Sequence, residues 1–553
     1  MAGGLLNLIS TGNNNVILTG NPTKTFFRVT YAKYTNFGLQ KFRIDYDGLR
    51  DLRLTEPSTF NFKMPRYAEL LMDTYLVVNL PTIWSPIYNP CQSTGNQWAP
   101  YDFRWIRELG TNMISEILIT CGSQTIQKYS GEYLRAMVER DFSAEKKDLF
   151  DKMTGNIPEI NDPANAFSRQ NAYPSAFYSS TRSAEPSIRG STLYIPINTW
   201  FTLDSRCAFP MISLQYNELN ISVTMRPIQE LFQVRDVFDV KNNFPYIQPD
   251  FNQPQFNMYQ YLQTPVFDLS NPTKYPWPLT NNTWNADIHL LSTYCFLTGE
   301  ESRRFAAEDQ VYLVKDVFEY TFNNITGSQR VKLTSSGMIA NWMMYLQRND
   351  VNMRNEWSNY TNWPYHNLPK DLQLAEPTIT DPNGNTVTGP GDNLPGAPQL
   401  STGIFITGDL AVQNQKEILE TLGIVLNGDY RENVLESGIY NLVEKYVRTK
   451  GSAKDGLYVY NFCLNTDPLE YQPSGAINLS KFRTIELEVT TYVPPFDIQN
   501  SEYNVLPDSN GNPIVVTKNN WQLYEYNYNM KVFEERYNIL SFVGGNCGML
   551  YAR

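Results

Sequence analysis

The residues that could do chemistry are few. The chain contains two histidines, His289 and His366. A metal site of the cupin type on a β scaffold needs several imidazoles and a carboxylate. His289 sits inside the apolar run HLLSTYCFL (289–297), which predicts a packed sheet position. His366 follows Trp363-Pro364-Tyr365, which predicts a surface loop. A histidine-based triad has little to build on. Asp381, Asn383 and Asn385 echo calcium-loop spacing, as do Asp508, Asn510 and Asn512. Neither run has glycine at its sixth position or glutamate at its twelfth, so Asn383-Gly384 and Asn510-Gly511 read as turns. Gly389-Pro390-Gly391 lacks the lysine and hydroxyl residue of a phosphate loop. The sequence therefore predicts no catalytic residue, no metal and no cofactor.

Six cysteines, at 91, 121, 207, 295, 463 and 547, form no Cys-x-x-Cys pair. They read as buried or free thiols in a protein that folds in a reducing compartment, with an occasional bridge or late oxidation as the other possibility. N-glycosylation sequons occur at Asn220, Asn281, Asn324, Asn359 and Asn478. Asn220 lies in a strand pattern and is expected to be inaccessible. Asn281, Asn324 and Asn359 remain as possible glycan acceptors, with Asn359 expected to be the most exposed. Five chance matches in an asparagine-rich chain are the favoured explanation of the sequons.

The elements that position these residues read as strands. The chain has 553 residues, 42% hydrophobic and 14% aromatic, with 36 Tyr and 29 Phe. That length and composition suit two large all-β units. The net charge, 45 − 56 = −11, repels phosphate backbones, so direct nucleic-acid binding is not expected. No stretch approaches the length of a membrane span, and no signal peptide is visible at the N-terminus. Residues 1–20 predict a short amphipathic helix around Leu5, Leu6, Leu8 and Ile9. Strand patterns follow at 25–31, 67–80, 113–120, 191–197 and 212–225. Helical spacing appears at 131–139, and again after the cap residue Ser143. A second strand-rich block opens near Ala286, with strands at 289–297, 310–322, 338–347, 456–465, 485–493 and 521–533. Long loops are expected at 155–190 and 363–410. The divisions are an N-terminal arm (1–25), a first unit (26–235), an interdomain linker (236–285) and a second unit (286–553).

Seven segments in order resemble the major capsid proteins of nucleocytoplasmic large DNA viruses. They are MAGGLLNLIS with LTGNPTKTFFRVTYAKYTNF (18–37), FRWIRELGTNMISEILITCGSQTIQKYSGEYLRAMVE (103–139), LYIPINTWFTLDSRCAFPMISLQYNELNISV (193–223), TGEESRRFAAEDQVYLVKDV (298–317), LNGDYRENVLESGIYNLVEKY (426–446), LYVYNFCLNTDPLEYQPSGAINLSKF (457–482) and YNILSFVGGNCGMLYAR (537–553). The loops at 240–283 and 363–410 look longer than in short members. The resemblance implies an all-β fold of two consecutive eight-stranded antiparallel jelly rolls, with short helices and long loops. It implies a homotrimer with a nearly hexagonal outline that meets neighbouring capsomers and tiles an icosahedral shell. It further implies assembly in the host cytoplasm. Residues near Leu5–Ile9 would lie at the inner base, by minor capsid proteins or an inner membrane. Outer loops, 363–410 first and 155–190 second, would crown the exterior. Two other readings fit an aromatic-rich β chain. One is a viral carbohydrate-binding surface or fibre protein. The other is an enzyme on a double β-sandwich, whose paired carboxylates the sequence cannot reveal.

Overall fold

The structure is a computed structural model. It describes residues 3–85, 87–88, 99–100, 102–169, 173–174, 176, 185–235, 246–266, 276–365, 378–380, 386–388, 415–452, 454–470, 472–494, 504–507, 513–517 and 525–551. Two β-sandwiches make up the body of the chain. In the first, the long strands are β1 (Phe37–Asp45), β2 (Ser58–Lys63), β3 (Leu70–Asn79), β4 (Ile114–Cys121), β5 (Gln124–Tyr129), β6 (Thr192–Pro196), β7 (Leu219–Met225) and β8 (His289–Leu297). One sheet runs β1-β8-β3-β6 and the other β2-β7-β4-β5. The second sandwich uses β9 (Gln310–Ile325), β10 (Ser328–Lys332), β11 (Met338–Arg348), β12 (Leu419–Leu426), β13 (Asp429–Glu436), β14 (Leu457–Asn461), β15 (Ile485–Thr491) and β16 (Tyr528–Val543). Its sheets run β9-β16-β11-β14 and β10-β15-β12-β13. Both units thus repeat one antiparallel strand order, with first and last strands paired: the double jelly roll. Short edge strands bring the sheets to five, four, six and four strands.

Local sequence explains the strands. In β7 and β15 alternate residues are buried, so apolar and polar positions alternate with period two. β11 differs, because nearly all of it is buried. Trp342, Met344 and Leu346 point into the core of the second unit, while Met343 and Tyr345 join the core of the first. A strand covered on both faces loses its alternation and reads as a continuous apolar run.

Two expectations need correction. The sequence places the strand His289–Leu297 at the head of the second unit. Instead it pairs along its length with β1, from Phe37↔Leu297 to Asp45↔His289, and also with β3. A jelly roll closes by pairing its last strand with its first, so the first unit recovers this strand from far along the chain. Within the stretch assigned to a linker, Phe256, Met258 and Tyr261 are buried in the first core. The described part around these residues is packed wall, not a spacer.

Residues 25–31, read as a strand, pair with no strand among the described residues and are all exposed. Strand propensity expresses packing against neighbours, and this segment has none among the described residues. The amphipathic N-terminal segment forms helices at Gly3–Ile9 and Val16–Thr19, without a buried residue in either. Among the described residues, no helix is long and apolar enough to cross a membrane.

The joint between the units and candidate assembly surfaces

The joint is organised by the helix Gly131–Asp141, all of whose residues are buried. Ser130 caps it, its Oγ accepting from the Tyr133 amide. Its start lies so close to neighbouring backbone that a Cβ on Gly131 would stand 1.9 Å from the carbonyl oxygen of Thr111. Only glycine fits there. Buried charges on this helix must find partners, and they find them across the joint.

Arg140, fully enclosed, donates to Asp141 Oδ2 at 2.6 Å, to Glu535 Oε1 at 2.9 Å and to Asn341 Oδ1 at 2.8 Å. Asn341 donates back to Glu535 Oε2 at 2.7 Å, Tyr133 donates to Glu535 Oε1 at 2.8 Å, and Thr466 donates to Asp141 Oδ1 at 2.5 Å. Two turns earlier, Glu132 receives Arg226 at 2.8 Å, Lys531 at 2.5 Å and Tyr345 at 2.6 Å. Arg135 pairs with Glu108, Glu139 and Asp151, and Lys454 of the second unit reaches Glu108 at 2.8 Å and 2.9 Å. The backbone joins in, since Gly451 N–H donates to Arg140 O at 2.8 Å.

These contacts set the protonation states. Burial alone would raise Glu535, but Arg140, Lys315 and the Asn341 hydrogen bond outweigh it and hold the carboxyl at about 2. Burial would likewise raise Glu132, and Lys531 and Arg226 bring it to about 2. Asp141 goes the other way: burial raises it further than Arg140 lowers it. A cation on Arg140 therefore serves two carboxylates at once and satisfies one more fully than the other.

A second contact zone lies along 349–365. Asn355 donates to Phe232 O and Gln229 O, both at 2.8 Å, and Trp357 donates to Glu230 O at 3.0 Å. Gln233 of the first unit donates to Glu356 at 3.0 Å, and the Arg226 guanidinium lies 4.2 Å from the Trp357 ring centre. The two sandwiches are thus fastened at two places by hydrogen bonds to fixed backbone groups and by paired charges. They form one block.

The sequence-predicted sites are scattered. His289 is partly buried, with Nδ1 2.6 Å from Asp287 O, as expected for a sheet residue. His366 lies outside the described residues, as do the turns at 381–385 and 508–512. The strands on either side of each turn pair as hairpins, Thr380↔Thr386 and Pro507↔Pro513. Asn281 and Asn324 are exposed. Asn359 corrects the expectation: it is 0% exposed, its Nδ2 donates to Trp363 O at 2.7 Å, and its Oδ1 accepts from Thr361. The nitrogen that would carry a glycan is enclosed by the packed 349–365 segment. Among the described residues, no three His, Cys, Asp or Glu side chains gather as a metal set. The joint itself was missed by sequence reading. Its one visible signal was a helix with charges on every face, GEYLRAMVERD, in a strand-rich chain.

Two apolar surfaces have no partner within the described chain. All of residues 3–36 are exposed, including Leu18 at 90% and Phe27 at 99%. On the second unit, Leu442, Val443, Tyr446 and Val447 stand out from the helical turns at 439–448. Exposed apolar groups of this extent mark surfaces that another molecule covers.

The comparisons agree with this architecture. The model of the major capsid protein N-terminus matches residues 25–262, and that of the large eukaryotic DNA virus major capsid protein matches 301–548. The gap between the matches contains β8, the strand that closes the first unit. The major capsid protein of Phaeocystis pouchetii virus is 24% identical, with all of both chains covered. That of Chrysochromulina ericina virus is 25% identical over 88% of this chain and 94% of its own. Among solved structures, PBCV-1 VP54 aligns over 96% of this chain and 100% of its own, at 18% identity and a TM-score of 0.58. The Faustovirus major capsid protein aligns over 93% and 92%, at 13% identity and 0.57. With two family models matched in succession along a double jelly roll, this chain belongs to the major capsid protein family of large eukaryotic DNA viruses.

Proposed function

We propose that the chain is the structural subunit of an icosahedral virion shell, that it acts as a homotrimer, and that it performs no catalysis. The observation that carries this reading is the joint. Two units with one strand order, locked at two places, make a rigid block with two similar halves. Three such blocks around an axis present six similar wedges, an outline that tiles a plane. A binding module or hydrolase has no use for that repetition. Carboxylates buried at the joint are engaged by Arg140, Arg135, Arg226, Lys454 and Lys531, which suits structure better than proton transfer.

In this reading the exposed helical face at 442–447 packs against a second copy within the trimer. The arm, 3–36, carries Lys24, Arg28 and Lys33 and no acidic residue. It lies at the inner base, where Leu5, Leu6, Leu8 and Ile9 meet minor capsid proteins or an inner membrane. Neighbouring trimers then meet laterally, and the shell forms in the host cytoplasm. Removing residues 1–36 tests the arm. The truncated chain should keep its fold and its trimeric mass, yet fail to form ordered arrays or to be incorporated into particles. Normal arrays and incorporation would refute the role of the arm.

A further inference from the structure

Cys121 and Cys547 are both buried and belong to one core cluster, yet they come from different units. Cys121 ends β4 of the first unit, opposite Leu219 in β7 and Gln124 in β5. Cys547 lies in the C-terminal strand Asn546–Met549, opposite Phe542 in β16. That C-terminal hairpin is seated on the first unit. Gly545 O accepts from Gln215 N–H at 3.0 Å and from Tyr216 N–H at 3.3 Å. A Cβ on Gly548 would meet Gln124 Oε1 at 3.3 Å. The two buried thiols interact across this contact.

We infer that Cys121 and Cys547 form a disulfide modification site that ties the C-terminal hairpin of the second unit to the first unit once the protein leaves a reducing compartment. The thiols are not equivalent. The positive charge of Arg66 acts on Cys121 and favours its thiolate. Cys121 is therefore the sulfur that reacts first.

The oxidant must be small, because Cys121 is 1% exposed. A peroxide suits it. The Cys121 thiolate attacks one peroxide oxygen and the O–O bond breaks. This leaves a sulfenic acid on Cys121, and the departing oxygen takes up protons to leave as water. The Cys547 sulfur, losing its proton, then attacks the Cys121 sulfur and expels the hydroxyl as a second water. Two thiols and one hydrogen peroxide give one disulfide and two waters. Gly544 and Asn546, beside Cys547 at the tip of the hairpin, are exposed.

The test uses the full chain in its native state, treated with hydrogen peroxide, then denatured, alkylated and mapped without reductant. The expected result is a peptide joining Cys121 to Cys547 in most chains, with two of the six thiols lost. Hydrogen exchange across 540–549 should slow on oxidation and recover with a reductant. Cys121→Ser and Cys547→Ser should each abolish the cross-link and the slowing. Two results would overturn the inference. One is peroxide consuming Cys207, the partly exposed thiol, while Cys121 and Cys547 stay reduced. The other is disulfides that join either residue to another cysteine. The mapping of the unmodified sequence decides the matter even if a serine variant folds poorly.

Discussion

Replacing Arg140 with methionine is the sharpest perturbation of the joint. Methionine keeps the stem of the side chain and removes the cation. Asp141 and Glu535, at 0% and 1% exposure, then face each other without it. Breaking a buried pair by deleting one partner costs about 3–5 kcal/mol. A second route gives the same scale. The carboxyl of Glu535 is held at about 2 against an ordinary 4.5. At about 1.4 kcal/mol per pH unit, its partners contribute roughly 3 kcal/mol at neutral pH. Because this carboxyl is depressed in the folded state, its contribution is complete above the unfolded value near 4.5. It is lost as pH falls through the folded value. Arg140 is the largest of the lowering influences, so the variant should lose most of that contribution. Urea unfolding at pH 7 should show a loss of about 3–5 kcal/mol, and the gap to the parent should shrink steadily between pH 5 and pH 3. Arg140→Lys, which keeps the charge and loses the fork geometry, should fall between the two. A loss under about 1 kcal/mol, equal at both pH values, would refute the account of the joint, since surface pairs behave that way.

Five further outcomes follow from the same structure. Gly131→Ala should destabilise by at least about 1–3 kcal/mol in the same assay, because the added carbon meets the Thr111 carbonyl. Asn359→Gln should destabilise by about 1–3 kcal/mol through lost buried hydrogen bonds. Asn281→Gln should stay within about 0.5 kcal/mol. When the chain is passed through a secretory pathway, peptide mapping should find any glycan at Asn281 or Asn324 and none at Asn359. Tyr446→Glu should leave the circular dichroism spectrum unchanged and shift the mass in solution from trimer toward monomer; an unshifted mass would remove the 442–447 face from the trimer contact.

Much of the fold was legible because its strands are half-buried. Leu219–Met225 and Ile485–Thr491 show clean alternation, and Tyr67–Leu80 and Met338–Gln347 show the continuous apolar runs of covered strands. Ser58–Lys63 alternates just as cleanly and was overlooked. Phe37–Asp45 gave no such signal, because it is an edge strand with most positions open to solvent. Chain order misled the domain boundary. Nothing in HLLSTYCFL says that its partners are Phe37–Asp45 and Leu70–Asn79, since pairing at that separation is set by closure of the whole sandwich. The joint was illegible for a related reason. The charges of GEYLRAMVERD look like a solvated helix until Glu535, Lys531 and Lys454 arrive from the far end of the chain. Asn359 was misjudged because a loop-like composition hid a packed segment.

The mass of the purified chain in solution tests the central claim most directly. Light scattering should give a particle of three chains of 63.7 kDa each, and negative-stain images of it should show a hexagonal outline. A stable monomer with no higher species as concentration rises would contradict the capsomer account.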